Sequence, residues 1–249
     1  MRKTVGSASR FVLPLRNNVS LGFFALLLLV LPACAEQAVK PDTHLPAGFV
    51  YADEVIPDLV VELLYFGDDN FVGARIDGYL APKAILTRPA AEALLQVQQA
   101  LREFGLGLKL FDAYRPQRAV EHFVRWASDI EDVKTKPEYY PDLDKKSLFE
   151  QGYIADRSSH SRGSTVDVTL VSILPETFGE ELDMGTRFDF FGPESWPSYR
   201  DALPRQRAHR MLLQTVMTKY GFVPYREEWW HFTLRDEPFP DRYFDFPVQ

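Results

Sequence analysis

Ser158 to Leu170 reads SSHSRGSTVDVTL, and the interpretation of the whole chain turns on this stretch. Val166, Val168 and Leu170 alternate with polar residues, the period-two pattern of a strand that turns one face to a core, so a strand is predicted over Ser164–Val171. His160 stands shortly before Gly163, and Asp167 lies inside the strand on the face opposite Val166 and Val168. A glycine turn between an imidazole and a carboxylate lets both converge on one cation. Further along, Glu228-Trp229-Trp230-His231 offers a second imidazole and a second carboxylate. Two histidines and one aspartate leave a coordination position for water, as catalytic rather than structural zinc sites do.

Glu228 is then the candidate general base, taking a proton from a water that the metal acidifies toward a pKa of ~7 and later returning one to a leaving amine. An offset of three puts residues 228 and 231 on opposite faces of a regular strand, so Glu228 must sit in a bend before the strand for both to reach the metal. Each residue also has an ordinary explanation. A lone histidine is commonly structural, and Glu228 beside Glu227 could be a solvated charge; from the residues alone both readings stay open. His44, His122 and His209 are read as structural or surface side chains.

Working outward, Thr87 is a plausible N-cap with Pro89 in the first turn, and a helical pattern follows to Phe104 and stops at Gly105. Leu108–Ala113 reads as a strand, and a second helix from near Pro116 carries Val120, Phe123, Val124 and Trp126. Residues 128–157 are polar and lack a period, a loop long enough to suggest service to the site. A third helix is expected over Arg205–Tyr220, closed by Gly221, and a last strand over Trp229–Leu234. Phe49–Gly73 suggests a strand (VVELLYF) and then a loop. Interleaved helices and strands with short turn signals favour an α+β domain with a mainly antiparallel sheet.

The first residues read as a targeting segment. Arg2, Lys3, Arg10 and Arg16 precede an apolar run, LGFFALLLLVL at Leu21–Leu31, with no acidic residue before Glu36. The run is short for a membrane span and ends in small residues, the pattern of a secretory signal over 1–33. Leu31-Pro32-Ala33-Cys34 resembles a bacterial lipobox, with plain signal cleavage as the rival. The expected product is a periplasmic enzyme or a lipoprotein, touching the membrane only through a lipid on Cys34. Residues 34–48 read as a tether and 49–249 as the working domain. Losing four basic and no acidic side chains takes the net charge from −7 to −11, which argues against nucleic acid as a partner. Oligomeric state is not legible. Cys34 is the one cysteine, so disulfides cannot brace the exported domain and a metal would help to do so.

SSHSRGSTVDVTL together with EWWHF at Glu228–Phe232 resembles the D-alanyl-D-alanine dipeptidase family, the VanX-type zinc peptidases related to D-Ala-D-Ala carboxypeptidases and to the Hedgehog signalling domain. DAYRP at Asp112–Pro116, YFGDDNFVGARIDGY at Tyr65–Tyr79 and DMGTRFDFF at Asp183–Phe191 match in the family's order. The resemblance implies a single Hedgehog/DD-peptidase-like domain with one Zn2+ per chain, held by His160, Asp167 and His231. It implies Glu228 as the catalytic base and Arg115 as the group that polarises the scissile carbonyl and stabilises the oxyanion, a task a fixed guanidinium suits. A salt bridge from Arg115 to Asp112 is the structural alternative. By the same resemblance Ser158 lies near the substrate carboxylate, Tyr65, Tyr79 and Asp189 line the small pocket, and residues 128–157 match an insert that narrows the cleft to a free dipeptide. The vancomycin-resistance members work in the cytoplasm, so an export signal points instead to scavenging of D-Ala-D-Ala released from the cell wall. A D,D-carboxypeptidase that trims stem peptides and a non-catalytic zinc-containing module that binds cell-wall peptide are the alternatives.

Overall fold

The computed structural model describes residues 45–249. The signal segment, the possible lipidation at Cys34, His44 and most of the expected tether lie outside the described residues. In chain order the elements are β1 (Phe49–Tyr51), α1 (Ala52–Val55), β2 (Val60–Val61), β3 (Ile85–Thr87), α2 (Arg88–Arg102), β4 (Leu106–Asp112), α3 (Gln117–Ser128), α4 (Lys136–Tyr139), α5 (Lys145–Glu150), β5 (Thr165–Ser172), α6 (Pro204–Lys219), β6 (Phe222–Pro224) and β7 (His231–Leu234). Short 3-10 turns at Leu64–Phe66, Ser159–Arg162 and Pro193–Ser195 complete them.

Five strands form one sheet in the order β2-β4-β5-β7-β6, and β1 pairs with β3 in a separate two-stranded ribbon. Only β2 and β4 run parallel; every other pair is antiparallel. The α+β expectation with a mainly antiparallel sheet therefore holds. β5 lies at the centre and is buried along its whole length, including Thr165, Asp167 and Thr169. Its polar face is thus not a solvent face, contrary to what simple alternation suggests, and a buried carboxylate at Asp167 needs partners.

The helices cover the sheet with apolar stripes at helical spacing. α2 buries Ala90, Ala91, Leu94, Val97 and Leu101, and its buried Gln98 accepts a 2.8 Å bond from the Leu108 amide beside the first residues of β4. Thr87 stands at the N-cap position, but its hydroxyl meets Ser164 at 2.7 Å instead of capping the helix. α3 buries Val120, Phe123 and Trp126, and its two rings join Phe191 around Phe71 at centroid separations of 4.7–5.1 Å.

Three expectations need correction. VVELLYF is not one strand, since only Val60–Val61 pair and Leu64–Phe66 wind into a 3-10 turn. The final strand begins at His231, with Trp229 and Trp230 buried in the turn before it. Residues 128–157 are not a featureless loop: they hold α4 and α5, fastened where Lys145 donates to the carbonyls of Trp126 and Asp129, both at 2.7 Å, at the C-terminal end of α3. A cation there meets the negative end of the helix.

The turn after Ser159–Arg162 demands glycine for two reasons. Gly163 has φ +83°, and a Cβ there would stand 2.2 Å from Cε1 of Phe49. Gly152 shares the backbone conformation, with φ +81°, but has nothing within 4 Å of its would-be Cβ. Gly163→Ala is expected to cost about 2–4 kcal/mol from left-handed strain plus overpacking, and Gly152→Ala only about 1–2 kcal/mol from strain alone. Denaturant unfolding of both variants measures the difference, and equal losses would contradict the packing role of Gly163.

Candidate active site

Three adjacent strands set polar groups in one lateral row: Asp112 of β4 is the partner of Asp167 of β5, which is in turn the partner of His231 of β7. The row depends on an irregularity in β4. Pairing steps from Leu110↔Val168 straight to Asp112↔Asp167, so Phe111 is an extra residue, and a bulge re-aims the side chains beyond it. Past this point, the Ala113 carbonyl accepts a 2.7 Å hydrogen bond from His160 Nδ1. His160 itself rides on the 3-10 turn Ser159–Arg162, whose first amides are steadied by the Ser158 hydroxyl accepting from the His160 amide at 3.3 Å.

The Ala113 carbonyl, which can only accept, fixes the His160 tautomer, and the Ser159 hydroxyl can orient His231 in the same sense. His160 donates from Nδ1, which leaves its Nε2 lone pair facing inward. His231 Nε2 lies 3.3 Å from the Ser159 hydroxyl, and donation there leaves its Nδ1 lone pair facing inward as well. His160 Nε2 and His231 Nδ1 are 3.2 Å apart. Asp167 Oδ2 is 3.3 Å from the first, and Asp167 Oδ1 is 3.2 Å from the second. The ligand atoms of these three residues lie within 4.8 Å of one another. Asp167 Oδ1 is buried without a hydrogen-bond partner among the described residues. Lone pairs that face one another in a buried site are what a divalent cation satisfies, and the donor set fits one. Burial alone would push the Asp167 carboxyl up, but the two imidazoles outweigh it and hold the group below its ordinary range.

Glu228 lies in the turn before β7, the placement that lets it reach the same side as His231, and its Oε2 is 3.4 Å from His231 Nδ1. Burial, reinforced by the nearby charge of Asp167, raises its carboxyl to about 7. Arg115 is held from behind. Its Nε donates to Asp112 Oδ2 at 2.9 Å, and NH2 lies 3.5 Å from Asp167 Oδ2. Its guanidinium carbon is 5.1 Å from the ring centroids of both Tyr65 and Phe123. The salt bridge to Asp112 is therefore real, and it fixes the guanidinium at the cleft wall rather than removing it from the site.

A cleft of about 460 Å³ opens in front of these groups. Arg115, Ser158, Tyr65, Asp189 and Glu228 line it together with the three candidate ligands. Asp189 is buried at 6% exposure, and its Oδ2 accepts from the Tyr65 hydroxyl at 2.8 Å. Burial and the charge of Asp167 push its carboxyl well above the usual range, so the neutral form is favoured and a cation entering the cleft would stabilise the ionised one. Tyr79 corrects the sequence reading. Its ring is fully buried behind the wall, and its hydroxyl donates to Asp112 Oδ1 at 2.6 Å, so it steadies the Asp112–Arg115 pair instead of lining the pocket. Ser159 and the Ala113 carbonyl were not singled out by the sequence. Ser159 sits inside the SSHS string, but which of two adjacent hydroxyls orients His231 only the fold decides.

The family described as D-ala-D-ala dipeptidase matches residues 46–249. A D-alanyl-D-alanine dipeptidase of Streptomyces coelicolor is 42% identical over 200 residues, covering 80% of this chain and 98% of the relative. One from Enterococcus faecium is 41% identical over 202 residues, covering 81% and 98%. One from Escherichia coli is 33% identical over 180 residues, covering 72% and 81%.

The geometry predicts one equivalent of divalent metal per chain after dialysis, lost on His231→Ala. Ser159→Ala removes only the hydrogen bond that orients His231, and should weaken binding by roughly 10- to 100-fold, as loss of such supporting partners does. Titration against a competing chelator measures both, and unchanged affinity in Ser159→Ala would refute the assigned orientation.

Proposed function

From the premise that this chain belongs to the D-Ala-D-Ala dipeptidase family, we propose that it hydrolyses free D-alanyl-D-alanine with one zinc ion held by His160, Asp167 and His231. Two nitrogens and a carboxylate oxygen, with room left for water, make a donor set that suits zinc. When bound, the ion acidifies a water molecule and polarises the scissile carbonyl.

This chain's own residues do the rest. Glu228 stands beside the ligand cluster, 3.4 Å from His231 Nδ1, and this placement is the observation that carries the reading. Its carboxylate accepts a proton from the attacking water and returns one to the leaving nitrogen. The hydroxyl of water joins the carbonyl carbon, the C–N bond breaks, and two D-alanines leave. Arg115, gripped by Asp112, presents its remaining N–H groups to the carbonyl oxygen as negative charge develops there. Asp189 and Tyr65 receive the substrate ammonium: a buried carboxyl that faces the cleft and is met by a neutral hydroxyl is a seat for a cation. Ser158 lines the same cleft and offers a hydroxyl to the far carboxylate of the dipeptide.

The rival reading is a D,D-carboxypeptidase acting on stem peptides. A buried acid such as Asp189 favours a substrate that ends in an amine at that point, since an ammonium there stabilises the ionised carboxylate and the uncharged amide of a continuing chain would not. We also infer work outside the cytoplasm, in recovery of dipeptide from the cell wall, on the strength of the basic and apolar pattern of residues 1–33. Recovery of the full chain in the cytosolic fraction of a bacterial host would contradict that.

Glu228→Ala should keep its metal and lose roughly 10²- to 10⁴-fold in kcat, the range for a positioned acid/base. Steady-state assay of D-Ala-D-Ala and of a stem pentapeptide checks this. Full activity in the variant would overturn the mechanism, and preference for the pentapeptide would establish the carboxypeptidase.

A further inference from the structure

Asp189 is the one non-glycine residue with positive φ among the described residues, at 61°. An L-residue stays in that region only when its surroundings hold it there, and such positions gather where function needs a particular aim. The holding contacts flank it on both sides, and both end on the same residue, Tyr139 of α4. Two residues before Asp189, the Arg187 guanidinium carbon lies 4.0 Å from the Tyr139 ring centroid. Two residues after it, the Phe191 amide donates to the Tyr139 carbonyl at 2.7 Å.

Arg187 also spreads its guanidinium between two anions from different segments. Its Nη2 meets Asp69 Oδ1 at 2.7 Å, and its Nη1 meets Glu138 Oε1 at 2.6 Å. Asp69 accepts from the Tyr139 hydroxyl as well, at 3.2 Å, and belongs to the segment that carries Tyr65, the hydrogen-bond partner of Asp189. One arginine thus ties together the α4 insert, the Tyr65 segment and the turn of Asp189. Neither Arg187 nor Tyr139 lines the cleft.

We propose that Arg187 and Tyr139 form a clamp that sets the enzyme's demand for a free substrate amine, by pinning the turn that aims Asp189 into the cleft. Arg187 is a positioning residue: it reaches substrate only through Asp189. The clamp gives the insert of residues 128–157 a specific task, because α4 supplies the surface on which the ammonium seat is fixed. The proposal rests on the reading of Asp189 as the ammonium partner, and the experiment separates the two.

Steady-state kinetics of the full metal-loaded enzyme on D-Ala-D-Ala and on N-acetyl-D-Ala-D-Ala would be compared for wild type, Arg187→Gln, the double variant Asp69→Asn/Glu138→Gln, and Asp189→Asn. Arg187→Gln is expected to raise KM for the free dipeptide about tenfold, equivalent to ~1.4 kcal/mol, with kcat held within about threefold. Its kcat/KM on the acetylated substrate should stay unchanged, so discrimination between the two narrows. The double variant changes only exposed partners, whose side chains are 73% and 67% accessible, and should move the same ratio in the same direction by less. It decides the matter if Arg187→Gln does not fold. Parallel losses on both substrates, or no change in the ratio, would overturn the clamp. If Asp189→Asn abolishes the preference for a free amine while the clamp variants leave it intact, the clamp alone fails; if Asp189→Asn also leaves it intact, the ammonium reading fails with it.

Discussion

Everything at the site depends on the register by which Asp112, Asp167 and His231 stand side by side across β4, β5 and β7. A shift of one residue in either pairing would turn the side chains of a strand to the opposite face of the sheet. Asp167 would then leave His231, and Asp112 would leave Asp167. The central strand is buried on both faces, so its apolar residues lock the register, and the polar row is carried to its place by the same packing. Val166 and Val168, both fully buried, do for the candidate metal ligands what no hydrogen bond among them could do alone.

Such a row is costly in isolation. Asp112, Asp167, Arg115 and the two imidazoles gather acid and base groups in a volume with little water, and a buried charge without a partner is destabilising. The cost is offset by reciprocity. Asp112 accepts from Tyr79 and Arg115, Arg115 reaches on to Asp167, and Asp167 faces both histidines. Among the described residues Asp167 Oδ1 stays without a hydrogen bond, and Asp189 Oδ2 is met by the neutral Tyr65 hydroxyl; the proposed metal and substrate ammonium would complete these two groups. Incomplete satisfaction in an otherwise closed network locates the chemistry better than the presence of charge does.

Much of this was legible in the residues. The alternation at Val166, Val168 and Leu170 gave the central strand, Pro89 and Gly105 bounded α2, and residue type, spacing and family likeness singled out the three side chains that the fold gathers and Glu228 as a candidate beside them. The condition that Glu228 sit in a bend was also drawn from spacing alone, and the chain meets it. Other features leave no local trace. The four residues of α4 and the six of α5 make too few turns for a helical period to show. The Phe111 bulge is invisible because alternation cannot say which of two neighbouring residues is the extra one. Tyr79 was expected in the pocket because its motif is there, yet whether a tyrosine lines a cleft or braces the wall behind it depends on tertiary packing. The left-handed turn at Asp189 is hidden for the same reason, since its supports come from residues far earlier in the chain.

X-ray absorption at the zinc edge, recorded on the active enzyme, bears most directly on whether His160, Asp167 and His231 hold the working metal. The account predicts one zinc per chain with two imidazoles and otherwise oxygen ligands at ~2.0–2.2 Å, and activity that rises in proportion to zinc content. Full activity in protein without metal, or with a zinc environment that lacks the two imidazoles, would contradict it.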